Sequence, residues 1–188
     1  MSAEPDIAAL LAEEFGTLAD LIRVHAQQRP DKLAIADDEA QVSYAELDQL
    51  MDRVAAALQQ GGTRAGQAVA SVSYPSVAQA VVFLGALRAG SVAAPIQPSA
   101  TPQQIAGMIT DSGAAVVFLD AANADALIGQ SFPADVVMLE DLDAWLAPEG
   151  AMPEPVAVEP GDGFNIIYSS GTTGVPKGIV QSHAMRWQ

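Results

Sequence analysis

The sequence contains no cysteine, which excludes disulfides, thiolate nucleophiles and cysteine-ligated metals. It has only two histidines, His25 and His183, so a metal site built from several histidines is excluded as well. Basic residues are scarce: 8 Lys and Arg stand against 23 Asp and Glu, a formal net charge of -15. A surface of that sign repels phosphate backbones and anionic lipid, so nucleic acid is a poor partner. No apolar run is long enough to span a bilayer; the stretch from Val69 to Leu87 comes nearest, and Ser71, Ser73, Pro75, Ser76 and Gln79 interrupt it. The opening MSAEPDIAALLAEE lacks the basic start and long apolar stretch of a signal peptide. The expected setting is therefore a reducing cytoplasm, with no membrane span.

Aromatic residues make up 5% of the 188 residues, although half the chain is apolar; much of that half is alanine, which favours a thin core with closely packed helices. The length suffices for one hydrophobic core, with at most a small satellite. Along the chain, local signals alternate between helix and strand. Thr17 and Asp20 mark the start of a helix that Arg29-Pro30 ends. Leu33 to Ala36 and Gln41 to Ser43 form a hairpin-like pair around the turn Asp37-Asp38-Glu39. Ser43 and Glu46 form a capping box for a helix whose Leu47, Leu50, Met51, Val54 and Leu58 recur at helical spacing, and Gly61-Gly62 stops it. Then follow a strand from Ala68, a helix from Ser76 to Arg88 and a strand from Ser91 to Pro95. Thr101 and Gln104 box the next helix, which Gly113 ends, and a strand from Ala114 to Leu119 comes after it. A short helix from Ala121 and a strand from Asp135 to Leu139 complete the series. This order predicts an α/β fold with a mainly parallel sheet flanked by helices. Residues 148–160, rich in proline and acid and without period, read as a surface connection before a last apolar strand, Phe164 to Tyr168.

Directly after that strand stands Ser169-Ser170-Gly171-Thr172-Thr173-Gly174-Val175-Pro176-Lys177-Gly178. Glycines let a backbone turn tightly and bring its N–H groups to an anion. Ser169, Ser170, Thr172 and Thr173 can donate to phosphate oxygens, and Lys177 is the only Lys or Arg between Arg88 and Arg186. The P-loop of nucleoside triphosphatases does not match, because there a lysine followed by serine or threonine opens a helix, whereas Pro176 precedes and Gly178 follows Lys177. A dinucleotide-binding GxGxxG is also absent. By composition alone such a cluster is as consistent with an ordinary turn as with a phosphate loop.

The run from Tyr168 to Gly178, YSSGTTGVPKG, resembles without a gap the signature loop of the adenylate-forming superfamily, whose members include acyl-CoA synthetases, peptide-synthetase adenylation domains and luciferases. Upstream, RPDKLA at 29–34, VSYAEL at 42–47 and FLGALRAG at 83–90 resemble further family segments. Two departures stand out: Gln97 in Ala94-Pro95-Ile96-Gln97-Pro98, where asparagine or aspartate is usual, and Tyr74-Pro75-Ser76, where many relatives have asparagine-serine.

The resemblance implies that residues 1–188 are a partial N-terminal AMP-binding domain, the first N-terminal subdomain of such an enzyme, without its C-terminal domain. It implies ATP as substrate, with its phosphates handled by Ser169, Ser170, Thr172, Thr173 and Lys177 along a path that Gly171, Gly174 and Gly178 allow. No catalytic nucleophile or base is expected in this part, and the ligands of Mg2+ are expected elsewhere. The whole protein would be an ATP-dependent carboxylic acid:CoA ligase, with an acyl-adenylate intermediate and CoA as acceptor. Alternatives are an aryl or amino acid adenylating enzyme that loads a carrier protein, and a non-catalytic α/β module. His183 is either a packing or capping histidine or, by resemblance, a substrate-pocket residue. His25 reads as a packing or surface residue. Asp37, Asp38 and Glu39 read as a solvated face, and Asp111 and Asp120 as capping or solvated residues. An apolar edge is expected to favour a homo-oligomer.

Overall fold

Most of the helix starts are set by side chains that accept a backbone N–H near the first turn. The computed structural model describes residues 6–169 and 176–188. Helix α1 (Ile7–Ala12) is unmarked by any apolar period in the sequence and buries none of its residues. Helix α2 (Leu18–Gln28) begins where Thr17 Oγ1 accepts from the Asp20 amide at 3.0 Å. Strands β1 (Leu33–Ala36) and β2 (Gln41–Ser43) form a small antiparallel sheet. Helix α3 (Tyr44–Gln60) opens on a full capping box: Ser43 Oγ accepts from the Glu46 amide at 3.3 Å, and Glu46 Oε2 accepts from the Ser43 amide at 2.7 Å.

The main series is β3 (Ala68–Val72), α4 (Val77–Arg88), β4 (Val92–Ile96), α5 (Pro102–Ser112), β5 (Val116–Leu119), α6 (Ala121–Ala126) and β6 (Asp135–Met138). A 3-10 turn and the short helix α7 (Leu142–Trp145) follow, then β7 (Gly163–Ser169), β8 (Lys177–Ser182) and α8 (His183–Trp187). Gly113 ends α5 at φ 67°, a left-handed conformation that glycine adopts without a Cβ penalty.

The six-stranded sheet has the order β6-β5-β3-β4-β7-β8. Its first five strands pair in parallel, whereas β8 runs antiparallel to β7, so the sheet is mixed. Between the glycine-rich loop and the helix that begins at His183 the structure places β8, a strand that the sequence does not mark. The reason is local and tertiary at once. Ile179 and Val180 are β-branched and suit a pleated strand, and β7 offers a free ladder edge for them to pair with.

Helices cover both faces of the sheet. On one face Leu47, Met51, Val54 and Leu58 of α3, with Val81 of α4 and Leu142 of α7, pack over Val69, Phe118 and Val137. On the other, Ile105, Met108 and Ile109 of α5 pack over Ala70, Val72, Val117, Leu119 and Ile166. Strand β3 is buried along its whole length, as a central parallel strand should be. Helices α2, α3 and α4 are also joined by charge. Arg88 donates to Asp52 Oδ1 at 2.5 Å, to Asp48 Oδ1 at 2.6 Å and to the Ala19 carbonyl at 3.0 Å. Arg23 donates to the same Asp52 oxygen at 2.6 Å.

The proline-rich segment from 148 to 160 is tied to the body of the protein. The Gln59 side-chain amide exchanges two hydrogen bonds with the backbone of Glu154, at 2.7 and 3.0 Å. Val156 sits over Gly90, where a Cβ would come within 2.5 Å of Val156 Cγ1.

One residue of the acidic turn has more to do than face water. Asp37 Oδ2 accepts from the Val77 amide at 2.7 Å, and its Oδ1 accepts from the amides of Glu39 at 2.8 Å and Ala40 at 2.7 Å. Asp38 and Glu39 are exposed. Asp37 thus links the small sheet to the first turn of α4, and these hydrogen bonds, that from Val77 foremost, hold its carboxyl below the usual carboxylate range. A carboxyl depressed in the folded state contributes fully above its unfolded pKa and loses that contribution as pH falls through the folded one. The stability advantage of wild type over Asp37→Ala is therefore expected at neutral pH and should shrink as pH falls below about 4. Parallel denaturation curves between pH 7 and the acid limit check this; an advantage independent of pH would show that the carboxylate is not its source.

Candidate phosphate site at the β7–β8 hairpin

Strand β7 carries Phe164, Asn165 and Ile166 into the core and pairs with β4 in parallel, so its carboxyl end lies at the edge where β3 and β4 lead into α4 and α5. In open α/β sheets this edge is where ligands bind, because loops and helix N-termini converge there. Ser169 and Lys177 are paired across the β7–β8 hairpin, and both are exposed. Segment 170–175 falls between them. Ser170, Gly171, Thr172, Thr173 and Gly174 lie outside the described residues. Lys177 opens a strand, which separates this loop from the P-loop, where the lysine opens a helix.

One pair further from the loop, Tyr168 faces Gly178. The Tyr168 hydroxyl lies 2.9 Å from Asp111 Oδ2 and 3.0 Å from the Met108 carbonyl, both on α5. Burial, with Asp111 adding to it, pushes the ionisation of Tyr168 well above that of a free tyrosine, so the hydroxyl remains a donor at any ordinary pH. Gly178 makes the arrangement fit: a Cβ there would stand 3.0 Å from Ile166 Cγ2, 3.2 Å from Tyr168 Cε1 and 3.3 Å from Asp111 Oδ2. Beside the hairpin, Pro176, the α5 cap Thr101 and the α5 residues Gln104, Gly107, Met108 and Asp111 line an open cleft of about 600 Å³. Asp111 is neither a cap nor merely solvated, as its position near a helix end suggests. No local pattern in the sequence pairs it with a tyrosine 57 residues away. Asp120 does act as a cap, accepting from Asn123 N at 2.9 Å, and it also accepts from Tyr74 N at 2.9 Å.

His183 is not brought to the loop. It begins α8 beyond the far end of β8, and about 17 Å of strand separates Lys177 from Ser182. The ring is buried edge-on to Phe164, with centroids 5.2 Å apart, and burial lowers its pKa against the opposing pull of Asp162. His25 stacks on Tyr44 at 4.6 Å. Among the described residues no group of three His, Asp or Glu side chains converges to hold a cation.

The family model for AMP-binding enzyme matches residues 22–186. The chain belongs to the AMP-binding enzyme family. Within this family, Gramicidin S synthase 2 of Brevibacillus brevis is 33% identical over 175 residues, which are 90% of this chain and 4% of that protein. The N-terminal domain of FACL13 from Mycobacterium tuberculosis, solved with an inhibitor bound, superposes with a TM-score of 0.80 at 29% identity, covering 90% of this chain and 45% of the other. The fatty acyl-adenylate ligase of L. pneumophila, solved with acyl adenylate and pyrophosphate, gives a TM-score of 0.74 at 26% identity over 93% of this chain and 31% of the other. The chain thus spans less than half the length of each of these relatives, and its fold is that of the N-terminal subdomain of adenylate-forming enzymes. Among its described residues no helix is long and apolar enough to cross a membrane.

Proposed function

We propose that the full-length protein is an ATP-dependent carboxylic acid:CoA ligase acting through an acyl adenylate, with residues 1–188 forming part of its N-terminal domain. The observation that carries this reading is the pairing of Ser169 with Lys177 at the carboxyl edge of a family-matched sheet. There a serine hydroxyl and a lysine ammonium flank the segment whose remaining hydroxyls and glycines belong to the same signature. The acid's carboxylate oxygen attacks the α-phosphorus of ATP, and the bond to pyrophosphate breaks. The hairpin's part is electrostatic: Lys177, Ser169, Ser170, Thr172 and Thr173 bind the β- and γ-phosphates and stabilise the charge that grows on the departing oxygens. Gly171, Gly174 and Gly178 leave room for that approach. The acyl group then passes from the adenylate to a thiol: the sulfur attacks the acyl carbon and AMP leaves, and we assign that thiol to CoA in a cytoplasmic enzyme. Magnesium would be held by residues beyond those described. Strand β8 is the edge of the sheet, with Ile179 54% and Val180 61% exposed, and this supports homo-oligomer formation by the isolated 188-residue chain.

A second reading, an amino acid or aryl acid adenylating enzyme that loads a carrier protein, is favoured by the match to a peptide synthetase. Acid-dependent exchange of pyrophosphate into ATP tests the common step, using the full-length protein and a panel of fatty, aryl and amino acids. We expect exchange with at least one class, followed by acyl-CoA formation when CoA is added. Exchange without acyl-CoA, but with acylation of a carrier protein, would support the second reading. No exchange with any acid would overturn both.

A further inference from the structure

We propose that Tyr168 and Asp111 are positioning residues that clamp the phosphate hairpin to α5 and so set where Ser169 and Lys177 stand. The inference rests on the adenylation reading above.

Three elements meet at one point immediately behind the loop. Tyr168 comes from β7, Gly178 from β8 and Asp111 from α5. Tyr168 and Gly178 form the cross-strand pair next to Ser169 and Lys177, so a shift of the tyrosine moves both flanks of the loop together. Helix α5 is a firm anchor: its start is locked by the reciprocal Thr101 and Gln104 capping box, and Ile105 and Ile109 are fully buried in the core. From that anchor Asp111 offers a carboxylate to the one proton of the Tyr168 hydroxyl, and a charged acceptor makes the stronger bond. The Met108 carbonyl at 3.0 Å offers the same hydroxyl an alternative acceptor on the same helix.

The absence of a side chain at 178 completes the clamp. Any Cβ there would press on the tyrosine ring and on the aspartate oxygen at once. Because β8 is the edge strand, no further strand holds it from the outer side among the described residues. The hold on the hairpin therefore comes from β7 and from this contact with α5. A phosphate site built from hydroxyls and one flexible lysine depends on such support, since about 1 Å of misplacement can cost about 100-fold in rate. Neither Tyr168 nor Asp111 is assigned a contact with ATP.

The test uses the full-length protein with Tyr168→Phe, Asp111→Ala and Asp111→Asn. In acid-dependent pyrophosphate exchange, the first two are expected to raise KM for magnesium-ATP about 10-fold, the size of one charge-assisted hydrogen bond. KM for the acid and the thermal midpoint should stay near wild type. Asp111→Asn keeps an acceptor oxygen and should restore most of the ATP affinity. Independently of turnover, amide hydrogen exchange at Lys177 to Val180 should quicken in Tyr168→Phe and Asp111→Ala while that of α3 stays unchanged. The proposal is overturned if ATP dependence and hairpin exchange both match wild type. It is also overturned if the KM values for ATP and acid rise together with a falling thermal midpoint, because that is a structural role only. If wild type itself shows no acid-dependent exchange, the adenylation reading fails, and hydrogen exchange still decides whether the clamp exists.

Discussion

Lys177→Ala in the full-length enzyme is expected to lower acid-dependent pyrophosphate exchange about 10- to 150-fold at subsaturating ATP. This is the size of the loss when one charge-assisted hydrogen bond worth about 1.5–3 kcal/mol is removed. The lysine is exposed at the first position of β8, beside the loop, and no other Lys or Arg occurs between Arg88 and Arg186 to replace its charge. In a chain of net charge -15, a bound polyphosphate depends heavily on the few cations placed near it. Folding should be almost untouched, because an exposed side chain at a strand end usually changes stability by no more than about 0.5 kcal/mol. Lys177→Arg should recover part of the loss, since the charge remains but its flat fork does not place it at the same point. Unchanged exchange across the whole subsaturating range of ATP would remove Lys177 from the phosphate site.

The second large effect concerns stability. Asp52→Ala is expected to destabilise the fold by about 3–5 kcal/mol, because it leaves a buried guanidinium short of its partner. Arg88 is only 8% exposed and Asp52 9%, and one Asp52 oxygen accepts from both Arg88 and Arg23. The share that passes through Arg23 is discounted, since that side chain is 37% exposed and its pairing is screened by water. Arg88→Lys should fail to rescue the network. One ammonium cannot hold the positions of two guanidinium nitrogens, here directed to Asp52, Asp48 and the Ala19 carbonyl. Converting Arg88 and Asp52 together to apolar residues should cost much less than either change alone. Urea denaturation of the single and double variants checks both statements. A loss under about 1 kcal/mol for Asp52→Ala would mean that the network is solvated and of the weak surface kind.

The family was legible in a run of consecutive residues, through resemblance. The run YSSGTTGVPKG after the apolar strand Phe164 to Tyr168 resembles the signature of the adenylate-forming superfamily, and the family match bears out that resemblance. Strand β8 was not legible, because the segment after the loop is short and carries no strict alternation; it becomes a strand through its partner β7. The role of Asp111 was equally hidden. Near the end of a helix an aspartate reads as solvated, and only packing α5 across the hairpin brings Tyr168 to it. The same holds for Asp37, which lies 40 residues from the amide it accepts, and for the Arg88 network drawn from three helices.

By itself the sequence determined the elements from α2 to β7, apart from the turn and short helix after β6, because capping boxes, helical stripes and glycine stops act within a few residues. It also determined the composition of the glycine-rich loop, which is a matter of consecutive residues. Only the tertiary structure decided the order β6-β5-β3-β4-β7-β8, the antiparallel turn of β8 and the distance between Lys177 and His183. Those depend on which apolar faces are buried together and which buried charges find partners. Such contacts join residues tens of positions apart, and their energies depend on the whole packed arrangement.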